Sequence, residues 1–381
     1  MVSTGSDTTA TGPSAPSAPS GSSGSSGFDR QRSADFLEVL KGAYQSSMLV
    51  LMVDLGRRLG LFDALRAAGP STSVELAART GLSERHLREW LAAVAVGGVL
   101  AFDGADGRFE LPAEHAVWLT GTAHTNLAPM AGLITGLAPR LEDVEESFRH
   151  GGGVPYERYR PHFTCSMDAV GRAKYDAMLV PVYLRLAPGI VERLEAGIDV
   201  VDVGCGTGHC LNLMAQAFPA SRFLGVDFSA EALALARAEA AAMGLGNARF
   251  EEVDLSVPDA LGVGRFDVVF AFDAIHDQSD PAGVLERVRH ALRPGGVFLM
   301  LDIKASSHLA ENLGDRTNLL LYGTSVMHCM QVSLAGGGPG LGTVWGTELA
   351  TGMLAEAGFP DVTIHDLPGD PTNCLYVCPT G

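Results

Sequence analysis

The 381-residue sequence predicts an α/β fold in which a seven-stranded domain follows a small α-helical one. Three observations predict it. Ile198–Pro219 reads as an apolar strand, a glycine-rich turn and an amphipathic helix. Apolar strands then alternate with helical patterns over roughly 100 residues, and acids close several of the strands. Before them, two short capped helices run into a hairpin pattern.

The glycine turn is Gly204-Cys205-Gly206-Thr207-Gly208, with Asp202 two residues before it. Glycines let backbone approach a ligand, and the following helix N-terminus offers free N–H groups. A dinucleotide fingerprint requires a sixth-position glycine for helix–strand packing. His209 occupies that position, and an acid beside the turn suits a cation better than a pyrophosphate. The second strand, Arg222–Val226, ends in Asp227, a type of residue that accepts ribose hydroxyls. A helix over Ala230–Met243 follows, then a third strand, Ala248–Val253, leading to Asp254-Leu255. The fourth strand, Phe266–Phe270, leads into Phe272-Asp273 and Ile275-His276-Asp277-Gln278-Ser279-Asp280. A Leu292-Arg293-Pro294-Gly295-Gly296 turn precedes the fifth strand, Val297–Asp302. Strands Val362–Leu367 and Asn373–Val377 complete the seven.

In this order the motifs resemble those of the class I S-adenosylmethionine (SAM)-dependent methyltransferases, whose domain is Rossmann-like. The resemblance implies SAM as cofactor. It implies a site built from Asp202, Gly204, Cys205, Gly206, Gly208, Asp227, Phe228, Asp254, Leu255, Phe272 and Asp273. The alternative is another doubly wound fold with coincidental acids.

Four segments are expected. Residues 1–30, nearly all Ser, Gly, Thr, Ala and Pro, form a disordered tail. Residues 31–120 form the helical domain: a long apolar helix from about Asp35 with a weak break, a Thr72/Glu75 capping box opening the helix Val74–Arg79, a Ser83 cap on Glu84–Val96, and a hairpin. This is a winged helix, read as a dimerisation and lid module. DNA binding is the sharper alternative. The segment Asp35–Thr120 carries 8 Lys/Arg against 11 Asp/Glu, which is a poor phosphate footprint. Residues 121–190 are a helical linker and pocket wall, with a helix over Val170–Leu186. Residues 191–381 are the SAM-binding domain, including a long helical insertion up to Leu334. Winged helix followed by SAM domain resembles small-molecule O-methyltransferases and actinobacterial winged-helix methyltransferase-like proteins. That resemblance implies a homodimer and a small-molecule substrate.

Net charge is −17 and 46% of residues are hydrophobic, so a packed core is expected and nucleic acid is a poor partner. No uninterrupted apolar run reaches membrane-spanning length, no signal pattern is read, and six dispersed cysteines fit a reducing cytoplasm. Cys205, His209 and Cys210 line the cofactor turn, so no metal is assigned.

For a hydroxyl acceptor a base is needed. His276 is the first candidate, since its context resembles the H-D-W-S-D motif of phenolic O-methyltransferases with Gln278 in place of Trp. Asp277 or another carboxylate would orient its ring. A structural His capping the next helix is the alternative. His328 is the second candidate, as base or substrate donor. Tyr156, Tyr159, Met167, Tyr322 and His328 are assigned to the substrate pocket, with simple core packing as the alternative. A C-, S- or N-acceptor needs alignment alone. A SAM-sensing regulator, and a drift to non-methylating chemistry, are the other readings.

Overall fold

In the computed structural model, residues 27–381 are described; most of the expected tail lies outside them. Asp29 caps helix α1, Arg30–Arg58, by accepting from the N–H groups of Gln31 and Arg32. The helix is continuous: the expected break, near Ser47, is bridged by a bond from its hydroxyl to the Ala43 carbonyl. Helices α2 (Leu61–Ala68), α3 (Ser73–Thr80) and α4 (Glu84–Val96) follow, then strands β1 (Ala101–Asp103) and β2 (Arg108–Glu110). The Thr72/Glu75 capping box is present. Glu75 also holds Arg108 of the hairpin, tying wing to helix. Ser83 makes no cap bond; its hydroxyl meets the His86 ring instead. The domain's core is Leu61, Phe62, Leu76, Trp90, Leu91 and Val94. The Trp90 indole donates to the Met52 carbonyl, which fixes the C-terminal half of α1 to this core.

By length and composition α1 is large enough to cross a membrane, with 29 residues and a mean hydropathy of 1.2 in its most apolar window. The sequence shows no uninterrupted run because Glu38, Lys41 and the polar Gln45–Ser47 break the stretch before Asp54, whose carboxylate pairs with both Arg57 and Arg58.

The linker contains α5 (Ala113–Leu119), α6 (Ala128–Leu137), α7 (Leu141–His150), α8 (His162–Met178) and α9 (Ile190–Ala196). Helix α8 starts and stops earlier than the pattern predicted. Pro181 lacks an N–H and disfavours helix in the residue before it, so the chain after Met178 turns and resumes as a 3₁₀ turn at Tyr183–Leu186.

The second domain runs β3 (Asp199–Val203), α10 (His209–Ala217), β4 (Arg222–Asp227), α11 (Ala230–Ala242), β5 (Ala248–Glu252), β6 (Phe266–Phe272), α12 (Pro281–Ala291) and β7 (Leu292–Ile303). It continues with α13 (Leu309–Asn312), α14 (Thr317–Thr324), α15 (Met330–Ala335), α16 (Thr347–Glu356), β8 (Thr363–Leu367) and β9 (Asp370–Pro379). The predicted long helical insertion is interrupted, and a π turn at Ser325–Cys329 joins α14 to α15. The sheet has seven strands in the order β5-β4-β3-β6-β7-β9-β8. Strands β3 to β7 are parallel; β9 runs antiparallel to β7 and β8. Alternate residues enter opposite layers. Val200, Phe270 and Leu299 pack toward α10 and α11, whereas Val201, Val269 and Phe298 pack toward α12 and α16. Strand order reverses between β3 and β6, which opens a crevice at their carboxyl ends. The glycine turn and the Asp273–Asp277 loop both leave the sheet there.

Candidate active site

The three turn glycines have separate roles. All take positive φ: +71° at Gly204, +53° at Gly206 and +71° at Gly208. A Cβ at Gly204 would lie 2.7 Å from Ala274, and one at Gly208 would lie 2.6 Å from both Ala236 and Phe250. These two serve packing, and Gly208 does the work that a sixth-position glycine does in a dinucleotide fold. A Cβ at Gly206 would meet nothing within 4 Å, so this backbone borders open space.

Two acids, Asp227 and its neighbour Asp202, lie beside this turn, and a third, Asp273, follows β6. Asp202 is buried and its Oδ1 has no hydrogen-bond partner. Burial and the neighbouring Asp227 push its carboxyl well above the usual range. Asp227 accepts from Gly206 N at 2.9 Å and Ser229 N at 2.8 Å, so one carboxylate braces the turn and the next helix. Asp273 sits at φ +50° after β6 and accepts from the Asn373 side chain. Burial and Asp302 push its carboxyl up to about 7. Its ordinary value is 3.8, so the unfolded chain releases this proton first. Stability from this group therefore falls as pH rises from about 4 through about 7. Thermal melts across that range should show the wild type losing stability relative to Asp273→Asn; parallel curves would refute the assignment.

Asp254 follows β5. It is exposed and turned back on its own loop, accepting from the N–H and hydroxyl of Ser256, whereas Leu255 is buried. Phe272 stacks on Phe270 and meets Tyr175 edge-on. Phe228 lies edge-on to Tyr156 at 5.4 Å. Cys205 and Cys210 are not joined by His209, whose ring nitrogens lie 3.0 Å from Glu239 and Asp176. Helix α8 clasps the same turn: Asp168 accepts from Thr207 at 2.6 Å, and Arg172 bridges Asp168 and Glu239.

Deeper in the crevice, His276 is 3% exposed. Its Nδ1 is 2.7 Å from Oδ1 of Asp302, which is fully buried and also accepts from Trp345 Nε1 and Ile303 N. Its Nε2 is 3.3 Å from Asp277. Burial disfavours charge on the ring, but Asp302 and Asp277 outweigh it and raise the imidazole well above its ordinary value. His276 is thus set in a hydrogen-bonded cluster and does not cap α12; Asp280 does. Asp302 is the residue that sequence reasoning missed as a partner. Its signal was an acid closing an otherwise apolar strand.

His328 lies on the π turn among aromatic rings: stacked on Phe163 at 4.2 Å and edge-on to Tyr159 at 4.5 Å and Tyr156 at 5.9 Å. Burial holds it neutral, lowered to about 4, and its Nε2 has no partner. Tyr159 donates to the Met327 carbonyl, which anchors the turn. Of the residues assigned to the substrate, Tyr156, Tyr159 and His328 come together. Met167 is 42% exposed on α8, with Phe163 taking the place against His328. The Tyr322 hydroxyl bonds Asn312 instead.

A seven-stranded sheet with its glycine turn at the switch point, behind a winged helix, defines a class I methyltransferase architecture. Comparison agrees. Residues 194–358 match the family described as methyltransferase domain, and residues 47–121 match the Rv2258c-like winged HTH domain. The chain therefore carries a methyltransferase domain joined to an Rv2258c-like winged helix. It is 41% identical over 100 residues to a trans-aconitate 2-methyltransferase of Deinococcus radiodurans, covering 26% of this chain and 36% of that one. The chain spans well under two thirds of the length of that relative. Among solved structures, a putative O-methyltransferase from Nostoc punctiforme superposes with a TM-score of 0.69 at 17% identity, covering 91% and 98% of the two chains. Human N-acetylserotonin methyltransferase in complex with SAM gives 0.66 at 18%, covering 93% and 99%.

Proposed function

We propose that this protein transfers the methyl group of SAM to a hydroxyl of a small-molecule acceptor, with His276 taking the proton. The observation that carries the reading is the His276–Asp302 pair at the switch-point crevice. The residues present fit SAM, whose ammonium and sulfonium are cationic: Asp202 has an unpartnered buried oxygen beside Asp227, Asp227 holds Gly206, and Gly206 leaves backbone open to a ligand. When bound, SAM supplies an activated methyl on a good leaving group. This chain's part is to hold the acceptor in line, exclude water and receive a proton. Asp302 occupies Nδ1 and leaves Nε2 for the acceptor. Tyr156, Tyr159, Phe163 and His328 supply an apolar, aromatic wall with one free ring nitrogen, suited to a planar acceptor with a polar edge. Asp277 lies 3.3 Å from His276 Nε2 and 4.0 Å from His328 Nδ1, a negative charge beside both rings.

Titration calorimetry with SAM and S-adenosylhomocysteine, and mass spectrometry of an acceptor gaining one methyl, test the reading. Absence of binding by either cofactor form would sink it. Asp227→Ala should weaken SAM by about 1–3 kcal/mol, since a buried bonded carboxylate and the brace of the turn are both lost. Unchanged affinity would remove Asp227 from the site.

A second reading is favoured by the charge that Asp302 and Asp277 hold on His276: transfer to carbon, sulfur or nitrogen by alignment alone. A DNA-binding role finds little support. On α4, Arg85 pairs with Glu89 and Arg88 with Glu84, so these cations are already engaged. The homodimer remains part of the proposal. Leu37, Tyr44, Met48, Leu51 and Leu55 form one exposed apolar face of α1, and light scattering of the full chain reads whether a second copy covers it.

A further inference from the structure

We infer that His276, Asp277 and Cys329 together bind a thiophilic divalent cation, for which Zn²⁺ is the probe. The inference goes beyond the reading of this crevice as the acceptor site, and its catalytic consequence, loss of the Nε2 base while the cation is bound, rests on that reading. The three residues offer one nitrogen, one oxygen and one sulfur, all within 4.8 Å of one another. A borderline-soft cation such as Zn²⁺ takes that mixed set, whereas Mg²⁺ or Ca²⁺ prefers oxygen alone.

The surroundings are arranged as those of a metal-bound histidine. Asp302 at 2.7 Å from Nδ1 is the carboxylate behind the imidazole that turns Nε2 outward, and the proton that the two carboxylates favour on Nε2 leaves to solvent when a cation binds. Nε2 and Asp277 Oδ1 are 3.3 Å apart, yet Oδ1 makes no hydrogen bond and is buried. Two ligands about 2.0–2.1 Å from a tetrahedral Zn²⁺ lie about 3.3 Å apart, so one cation between them bonds both. Asp302 Oδ2 is also buried without a partner. Among the described residues the ion-pair partners of Asp277 and Asp302 are histidines only, so no Lys or Arg balances these two carboxylates.

The third ligand comes from the π turn, which places Cys329 beside the loop that follows β6. Wider helical turns of this kind recur at functional sites. Burial holds the Cys329 thiol up to about 11, which makes it inert as a free nucleophile. On coordination the thiol proton leaves to solvent and the thiolate binds the cation. Three protein ligands leave one position for water or for an acceptor oxygen. While the cation holds Nε2, that nitrogen accepts no proton.

The experiment titrates the full chain with Co²⁺ as a spectroscopic stand-in, then displaces it with Zn²⁺, alongside SAM calorimetry and a circular-dichroism melt as fold controls. The expected result is one Co²⁺ per chain with a thiolate charge-transfer band in the near ultraviolet, absent from Cys329→Ser. Asp302→Asn should weaken Zn²⁺ about 10–100-fold by removing the carboxylate behind the ring. A folded protein without the band, or a band that persists in Cys329→Ser, overturns the inference. A band in a protein that fails to bind SAM supports the metal site and rejects the methyl-transfer reading.

Discussion

His276→Gln should lower turnover on a hydroxyl acceptor by about 10²–10⁴-fold, the range of a lost general base. Glutamine can still occupy a polar niche, but it cannot take a proton at the position of Nε2. SAM affinity should stay within a few-fold, because the residues proposed to hold the cofactor lie around Gly206 and Asp202 and not on this ring. A fall in turnover at constant SAM affinity therefore separates proton removal from binding. The geometry gives a companion test. Asp302 accepts from His276 Nδ1, Trp345 Nε1 and Ile303 N through one oxygen. Asp302→Asn would disturb the tautomer without removing the ring, so it should slow turnover in the same direction. If His276→Gln turns over at the wild-type rate, the acceptor atom needs no base, and alignment by the aromatic wall suffices.

Gly208→Val should destabilise the fold by about 2–5 kcal/mol. Forcing side-chain atoms into a packed site costs about 1–3 kcal/mol, and left-handed backbone on a residue with a Cβ costs about 1–2 more. Both apply, because φ is +71° and the first added carbon would sit 2.6 Å from Ala236 and Phe250. These atoms belong to α11 and β5, so the strain would push two elements off the turn. Gly206→Ala makes the contrast. Its φ of +53° carries the backbone cost, but its Cβ meets no protein atom within 4 Å. Its damage should fall on SAM affinity more than on melting temperature. Equal melting losses in the two variants would show that Gly206 does not face the ligand.

Much of what gathers at this end of the sheet was legible in the chain because its signals are local. Asp202, the three glycines and Asp227 lie within 26 positions of one another on strand–turn–helix units, so their spacing alone brings them to one end of a sheet. His276 was legible for the same reason: it follows a strand whose partner carries the glycine turn. Met167 and Tyr322 stand apart from the aromatic group, because along the chain such a side chain reads the same whether it faces a cavity or solvent. Helix α8 ran from His162 and not from Val170, and that shift changed which face met His328. Asp254 turns to its own loop, where Ser256 provides the nearer donor, a contact that no strand pattern encodes.

By itself the sequence determined the elements that nearest neighbours dictate. The capping box at Thr72, the alternation of both strand faces into apolar layers, and the conformation demanded by Gly204-Cys205-Gly206-Thr207-Gly208 all follow from contacts a few residues apart. Only the tertiary structure decided the partners of His276. Asp302 is 26 positions away, Trp345 reaches it from a loop 43 positions further on, and Cys329 arrives on a π turn. Such groups meet because strand order and an inserted helix fold them into one crevice. No spacing along the chain encodes a contact whose geometry is set by how the sheet is wound.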